Sequence, residues 1–364
     1  MKRIPELDAV RGIAALGIVM YHAYLTVFYL GWCFVDLFFV LSGYLITTII
    51  IDNLGENGFL RAFYVRRTLR IWPVYYLTLV AVLALNSLSR TGYGTQSLAQ
   101  HLVFLQNIQE YWGNHMPAFP AAFGCSWSVA IEEQFYLIWP SLLLFAGVQS
   151  IPVIVTLTLL TTVTARFLGF PYNILLGRAD GLAFGCLLAF LAISSGRLRQ
   201  LKRVLAPLAI VSFGYICVLA YVSWRDPDPI WLTSTFFAFS LFFFTVVGYA
   251  ICYTGHWSLA PLRSKWLGYL GLISYSLYLF HGPILQYVPP IAKAIHLPYG
   301  DVLKWPLVLL LPTLSYRYFE GPILKLKGRF EYRGGPQAAP KLSGSGHGSA
   351  ERASVEIPIE PEKA

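Results

Sequence analysis

Long apolar segments with few polar positions dominate this sequence. They fall at residues 9–30, 33–51, 71–88, 127–147, 150–168, 181–194, 204–222, 231–252, 270–289 and 302–320. The segments are continuous rather than alternating, and most have about the twenty residues that a helix needs to cross the hydrocarbon core of a bilayer. The pattern predicts an all-α polytopic membrane protein with about ten transmembrane helices.

The composition supports the same class. Hydrophobic residues make up 56% of the chain and charged residues only 12%, with a mean hydropathy of +0.58. Soluble domains carry about 25% charged residues, so an ordinary soluble globule is excluded.

Basic residues are concentrated in alternate loops. They lie before span 1, between spans 2 and 3, 6 and 7, and 8 and 9, and after span 10. Because cytoplasmic loops carry the excess of Lys and Arg, both termini are predicted to be cytoplasmic. The formal net charge of +9 largely reflects this bias, and no nucleic-acid partner is expected.

The composition changes after the last span. Residues 334–364 are rich in Gly, Pro, Ser, Ala and Glu, which predicts a disordered cytoplasmic tail after a membrane domain at residues 1–333.

The five cysteines have no metal-binding spacing, and no metal is expected. Cys33 and Cys125 both fall near the outer face, where they form either a disulfide or two buried thiols. No cleavage site follows the first span, which is expected to be retained.

Two polar side chains, Arg11 and His22, interrupt the first apolar segment. Eleven residues come to about three turns plus 20°, so the two share one helix face, about 16 Å apart along the axis. Polar groups at membrane depth cost at least a few kcal/mol unless they face a polar cavity, which indicates a functional site. Alternatively, Arg11 reaches the headgroups and His22 bonds a neighbouring helix.

The second span carries Asp36 near its outer end, in Asp36-Leu-Phe-Phe-Val-Leu-Ser-Gly. Spans 1 and 2 are joined by a short connection and should form an antiparallel hairpin, which places Asp36 and His22 in the same outer half. A carboxylate facing the imidazole would fix its tautomer for general-base catalysis. Otherwise Asp36 is a structural partner of another polar group. Ser42 and Gly43 are expected to allow close helix approach.

An arginine cluster, Arg66, Arg67 and Arg70, precedes the third span. Arg67 and Arg70 are three residues apart and project together from a helix, with Arg66 beside them. Guanidinium groups so arranged suit the phosphates of a polyanion. The alternative is a plain positive-inside anchor.

The fourth span opens with Ser-Trp127-Ser and continues to Glu132 and Glu133. Adjacent residues on a helix point about 100° apart, so one carboxylate is expected to face the site while the other pairs elsewhere. The preceding outer loop, residues 89–126, contains amide and aromatic side chains that suit either sugar binding or an interfacial belt.

Polar residues also occur in later spans. Arg178 and Asp180 open span 6, either as a local ion pair or as substrate contacts, and His281 lies in Ser-Tyr-Ser-Leu-Tyr-Leu-Phe-His of span 9. Glu320 ends span 10 and is expected to be structural.

Taken together, these motifs resemble the acyltransferase 3 family of integral-membrane acyltransferases, which includes O-antigen, exopolysaccharide and Nod-factor acetylases. The resemblance covers about residues 3–326 and rests on Arg11-x₁₀-His22, the Asp36 motif, Arg67-x-x-Arg70, Ser-Trp-Ser with Glu132, Arg178-x-Asp180 and the His281 motif. It implies a ten-span core in the bacterial cytoplasmic (inner) membrane, essential Arg11 and His22, and a cytoplasmic donor held by Arg67 and Arg70. Some relatives carry an additional extracytoplasmic hydrolase-like domain; this sequence lacks one, so a stand-alone enzyme is expected.

The resemblance predicts transfer of an acyl group, expected to be acetyl, from cytoplasmic acyl-CoA to a hydroxyl of a carbohydrate or glycoconjugate. His22 would act as general base, with Asp36 or Glu132 orienting its ring, and an acyl-histidine intermediate is the chemical alternative. Glu133, Arg178, Asp180, His281 and Trp127 are candidates for acceptor binding or structure. The expected partners are acyl-CoA, the acceptor and membrane lipids, with no permanently bound cofactor.

A transporter or flippase would use the same intramembrane charges, but we find no internal repeat. The sequence specifies neither the acceptor, the acyl chain length nor the oligomeric state.

Overall fold

The computed structural model describes residues 4–89, 98–108, 120–194, 196–225, 229–297, 299–330 and 332, and these residues contain helices and turns but no strand. They belong to one compact unit within Met1–Arg333. The tail predicted at residues 334–364 and half of the outer loop, residues 90–97 and 109–119, lie outside the described residues.

Thirteen α-helices are numbered here in chain order along the described residues. They are α1 (Pro5–Ala23), α2 (Phe34–Asn53), α3 (Phe59–Ser89), α4 (Leu98–Leu102), α5 (Ser126–Ala146), α6 (Ile151–Phe167), α7 (Leu175–Arg178), α8 (Asp180–Ala189), α9 (Leu198–Arg225), α10 (Pro229–Cys252), α11 (Lys265–Ala294), α12 (Gly300–Ser315) and α13 (Gly321–Lys325). Short 3₁₀ segments lie at Tyr29–Cys33, Ala121–Phe123, Val148–Ser150, Trp257–Arg263 and Leu326–Arg329, and π turns extend α8 through Phe190–Ser194 and α12 through Tyr316–Glu320.

Six helical segments in this part of the chain are long and apolar enough to cross a membrane. They are Tyr29–Asn53, Phe59–Leu88, Ser126–Ala146, Val148–Phe167, Leu198–Val222 and Thr233–Cys252. The remaining predicted spans overlap α1, α8, α11 and α12. The predicted all-α architecture with several membrane helices is therefore confirmed, while the count of ten and the orientation stay predictions.

The first span is shorter than the apolar pattern predicts. Helix α1 ends at Ala23, and the backbone of Tyr24 leaves the helical region at φ −140° and ψ 64°. The next residues turn back, and Gly31 packs so closely that a Cβ there would lie 2.7 Å from Cβ of Tyr21. Hydropathy could not locate this turn because the residues that form it are themselves apolar. His22 consequently lies in the last turn of α1, not deep within a longer helix.

Two close helix crossings hold together the helices that carry the polar motifs. A Cβ on Gly12 of α1 would lie only 2.8 Å from the backbone nitrogen of Gly271 in α11. Gly43 of α2 similarly meets the backbone of Leu182 and Gly185 in α8. Small residues allow helix backbones to approach closely inside a membrane, as predicted for Gly43. These crossings fix α1 against α11 and α2 against α8.

Candidate active site

A cavity lined by arginine side chains, called here the arginine cavity, lies among α1, α2, α3, α5 and α11. Its volume is about 80 Å³. Its described lining includes Arg11 from α1, Arg67 and Arg70 from α3, and Glu132 from α5. Three guanidinium groups thus converge with one carboxylate, an arrangement suited to a polyanion. The structure brings together four of the residues that the sequence analysis selected.

A hydrogen-bond network shapes the wall of the arginine cavity. Ser42 donates to Oε1 of Glu132 over 2.5 Å, and the Tyr136 hydroxyl donates to Ser42 over 3.1 Å. The guanidinium of Arg67 lies 5.6 Å from the centre of the Tyr136 ring. Ser42 therefore positions the carboxylate in addition to lying at a close helix crossing.

The two adjacent carboxylates of α5 diverge. Glu132 lines the arginine cavity, whereas Glu133 accepts a 2.9 Å hydrogen bond from the indole nitrogen of Trp72 in α3. This arrangement follows from their angular separation on a helix, which the sequence analysis had used.

The second cavity contains His22 and is called here the histidine cavity. It has a volume of about 430 Å³. Its described lining includes His22 from α1, Trp32 from the 3₁₀ segment before α2, Trp127 from α5, Arg178 from α7 and Tyr278 from α11. Aromatic rings of this kind can stack on the faces of sugar rings, while the polar groups can bond to hydroxyls.

Two histidines from different helices meet at this cavity. Nδ1 of His22 lies 3.0 Å from the carbonyl oxygen of Ile18 and 3.3 Å from Nε2 of His281. Nδ1 of His281 lies 2.5 Å from the carbonyl oxygen of Tyr278. His281 is only 1% exposed, whereas the His22 side chain is exposed.

These contacts assign the tautomers of the two neutral rings. A backbone carbonyl only accepts hydrogen bonds, so Nδ1 of each histidine carries the proton. Nε2 of His281 then bears a lone pair, and it shares the single Nδ1–H of His22 with the carbonyl oxygen of Ile18. Nε2 of His22 is left with its own lone pair, which is the state required of a general base. Both histidines were predicted site residues, but their pairing was not predicted.

Asp36, predicted to face His22, pairs elsewhere. Its carboxylate is fully buried and receives two hydrogen bonds from Arg178, from Nε over 3.0 Å and from Nη2 over 2.9 Å. A buried carboxylate needs a cation, and the close packing of α8 on α2 brings Arg178 to it. The orienting role predicted for Asp36 is therefore corrected, because the side chain beside the His22 ring is that of His281. Glu132, the alternative orienting residue, lines the other cavity.

Of the two alternatives predicted for Arg178 and Asp180, the local ion pair is wrong. Asp180 instead binds Nη1 of Arg166 over 2.9 Å, and Arg166 also donates to the carbonyl oxygen of Gly177. Arg166 was not among the predicted site residues, although a single arginine inside the apolar α6 is a usable signal. Arg178 lines the histidine cavity, and the two buried pairs, Asp36 with Arg178 and Asp180 with Arg166, stabilise that side of it.

Aromatic rings enclose Arg178 on its remaining sides. Its guanidinium lies 3.8 Å from the centre of the Phe236 ring, 5.8 Å from that of Trp32 and 5.9 Å from that of Trp127. Trp127 therefore contacts both the cation and the cavity, and Arg178 has a structural role whether or not it also contacts a ligand.

Tyr278 separates the two cavities and lines both. Its hydroxyl donates to the carbonyl oxygen of Cys125 over 2.9 Å and lies 2.6 Å from Oγ of Ser128. Its own carbonyl oxygen accepts from His281, three residues later. Tyr278 was not among the predicted site residues, although its spacing of three from His281 places both on one helix face.

Arg66 and the cysteines, two further predicted features, have defined positions in the structure. Nη1 of Arg66 donates to the carbonyl oxygens of Lys327 over 3.3 Å and Phe330 over 3.1 Å, so Arg66 holds the segment after α13. The cysteines, including Cys33 and Cys125, have free thiols, and the disulfide alternative is not realised.

Comparison with known proteins agrees with this architecture. Residues 4–315 match the family described as an acyltransferase domain, the acyltransferase 3 family. The chain belongs to this family of membrane acyltransferases.

Its curated relatives carry related names. The peptidoglycan O-acetyltransferase OatA of Listeria monocytogenes is 29% identical over 362 residues, which cover 89% of this chain and 56% of the relative. The putative peptidoglycan O-acetyltransferase YrhL of Bacillus subtilis is 30% identical over 358 residues, covering 88% and 55%. A putative O-acetyltransferase of Staphylococcus aureus is 26% identical over 367 residues, covering 89% and 58%. The chain thus spans a little over half the length of these relatives. No solved structure matches the chain.

Proposed function

We propose that this protein transfers an acetyl group from acyl-CoA, bound at the arginine cavity, to a hydroxyl of a carbohydrate or glycoconjugate in the histidine cavity. The observation that carries the proposal is the meeting of these two cavities at Tyr278, with cations on one side and a histidine pair on the other. The O-acetyltransferase names of the relatives support the same reaction class.

The membrane orientation belongs to the same proposal. Ten spans with cytoplasmic termini, as the basic loops predict, would place Arg67 and Arg70 toward the cytoplasm. The histidine cavity would then face the opposite side, where cell-surface carbohydrates lie. Acyl-CoA and its acceptor would approach from opposite faces of the cytoplasmic membrane.

Charge determines how far the donor penetrates. The phosphates of CoA cannot enter hydrocarbon cheaply, so they stay with the guanidinium groups of Arg67, Arg70 and Arg11. The uncharged pantetheine arm extends from there toward Tyr278. A water molecule takes up about 30 Å³ in the liquid, so a cavity of about 80 Å³ must widen to admit the arm. Movement of the Tyr278 side chain would provide this opening.

His22 supplies the base. Its Nε2 removes the proton of the acceptor hydroxyl as that oxygen attacks the thioester carbonyl carbon. The new carbon–oxygen bond replaces the carbon–sulfur bond, and the proton passes from the imidazolium to the departing CoA sulfur. The lone pair of His281 accepts from Nδ1–H throughout and keeps Nε2 directed at the acceptor. A positioned base contributes typically 10² to 10⁴ in rate.

The direct test uses purified protein in detergent with acetyl-CoA and a soluble peptidoglycan or chito-oligosaccharide fragment. We expect stoichiometric formation of free CoA thiol and of an acceptor that is heavier by one acetyl group in mass spectrometry. An acyltransferase releases free CoA thiol without a sealed compartment, whereas a transporter or flippase breaks no thioester and releases none. Absence of both products across such acceptors, with folded protein, would contradict the proposal.

A further inference from the structure

The segment that follows α13 is fixed against the beginning of α3. Arg66 donates to the carbonyl oxygens of Lys327 and Phe330, and its guanidinium lies 5.2 Å from the centre of the Tyr332 ring. The Tyr332 ring in turn contacts Phe59 at a centroid separation of 6.0 Å. Contacts to both the backbone and an aromatic ring give this segment a defined position beside the arginine cluster.

This position brings Lys327 among other cations. Its ammonium group interacts with Arg66, Arg67 and Arg70 of α3, and the carboxylate facing it is that of Glu320 at the end of the last π turn. Glu320 is only 1% exposed and accepts a 2.7 Å hydrogen bond from Ser276. The other basic groups of the segment, Lys325 and Arg329, are exposed.

Crowding of this kind is unfavourable without a ligand. Burial, followed by the charges of Arg70, Arg67 and Arg66, lowers the pKa of Lys327 to about 7. A lysine that merely anchored the chain at the headgroups would extend into solvent, away from the arginines whose charges act on Lys327. A bound polyanion would remove the mutual repulsion of these cations.

We propose that Lys327 is a fourth phosphate ligand of the donor site, next to Arg67 and Arg70, and that Arg66 positions it by holding the backbone of its segment. The inference rests on the proposed acyl-CoA donor, which carries several phosphate oxygens. Arginine forks bind such oxygens in pairs, whereas an ammonium on a flexible stem acts as a movable point charge. The donor site would then be assembled from two parts of the chain that are far apart in sequence.

The ligand role makes donor affinity depend on pH. Binding of phosphate favours the charged ammonium and raises its pKa, so donor affinity is highest below pH about 7 and falls as pH rises above it. The charged groups that face Lys327 are the guanidinium groups of Arg66, Arg67 and Arg70 and the carboxylate of Glu320. In a Lys327→Arg variant the positive charge persists, so the loss of donor affinity above pH about 7 should disappear. Ionisation of the donor's own phosphate affects both proteins equally, so it cancels when the pH dependence of wild type is compared with that of the variant.

The test is calorimetric titration of full-length protein, in detergent without lipid, with CoA. Removal of one charge-assisted contact should weaken binding about tenfold in Lys327→Ala. The control is Lys325→Ala. Lys325 is the exposed last residue of α13, so this variant should bind CoA as wild type does. The ratio of the dissociation constants at pH 8.5 and 6.5, which lie on either side of the Lys327 pKa of about 7, should be larger for wild type than for Lys327→Arg.

The outcomes separate this inference from the proposed function. Wild-type protein that does not bind CoA would contradict the donor assignment itself. Wild type that binds CoA together with a Lys327→Ala variant of equal affinity would overturn only the role of Lys327. If Lys327→Ala instead loses affinity for phosphatidylglycerol vesicles while binding CoA normally, the lysine is a lipid contact and the inference is wrong.

Discussion

Replacement of Asp36 by Asn should destabilise the fold without removing the catalytic base. The substitution leaves the guanidinium of Arg178, which is 1% exposed, without its carboxylate. Removing one partner of a buried ion pair costs about 3 to 5 kcal/mol, because the remaining charge is buried and uncompensated. Asp36 bonds to Arg178, whereas the ring partner of His22 is His281, so Asp36 has no direct role in orienting His22.

The assay follows unfolding with a thiol-reactive fluorophore, since Cys33 and Cys186 are buried in the folded protein. We expect a clearly lower Tm for Asp36→Asn. The matched control is Asp301→Asn, which breaks the exposed pair of Asp301 with Lys304 and should leave Tm nearly unchanged.

A double variant tests the physical cause. Asp36→Leu combined with Arg178→Met removes both charges, and Tm should recover toward wild type because apolar replacement of a whole buried pair is often neutral or stabilising. The reasoning would be refuted if Asp36→Asn kept a wild-type Tm but lost acetyl transfer, since Asp36 would then act in the chemistry.

Three further predictions concern the donor, the boundary between the cavities and the orientation. Arg67→Ala should raise KM for acyl-CoA by about one to two decades with little change in kcat, because a contact of about 1.5 to 3 kcal/mol is made equally in ground and transition states; a collapsed kcat with unchanged KM in steady-state kinetics would contradict this. Tyr278→Leu, which removes the bonds to Cys125 and Ser128 but keeps the carbonyl that His281 uses, should increase acetyl-CoA hydrolysis in the absence of acceptor, and thiol release equal to wild type would argue against a boundary there. In a cysteine-free background, Lys293→Cys should react with an impermeant thiol reagent in intact cells while Gln200→Cys should not; the reverse result would invert the proposed topology.

Much of the architecture could be predicted because hydropathy and spacing act within single helices. The apolar segments overlap the helices of the structure, and the three-residue spacing of Arg67 and Arg70 places both on one cavity. The angular separation of adjacent residues similarly explains why Glu132 lines that cavity while Glu133 binds Trp72.

The partners of the buried charges could not be predicted, because they depend on how each helix is rotated toward its neighbours. Asp36 in the first turn of α2 and His22 in the last turn of α1 lie at the same end of the predicted hairpin, but the packing of α8 on α2 determined that Arg178 would bind Asp36. The pairing of His22 with His281 joins residues that lie 259 positions apart, and no local pattern encodes it. The turn after Ala23 was missed because apolar residues form it.

The most direct test of the central claim compares His22→Ala with His296→Asn in acetyl transfer by purified protein. His296 is exposed, lies outside both cavities and has a φ of 53° that asparagine tolerates, so it is a matched histidine control. The proposed mechanism predicts that His22→Ala loses at least about 100-fold in transfer while its Tm and CoA affinity stay normal, and that His296→Asn keeps wild-type activity. Wild-type transfer by His22→Ala would show that the histidine pair does not carry the chemistry.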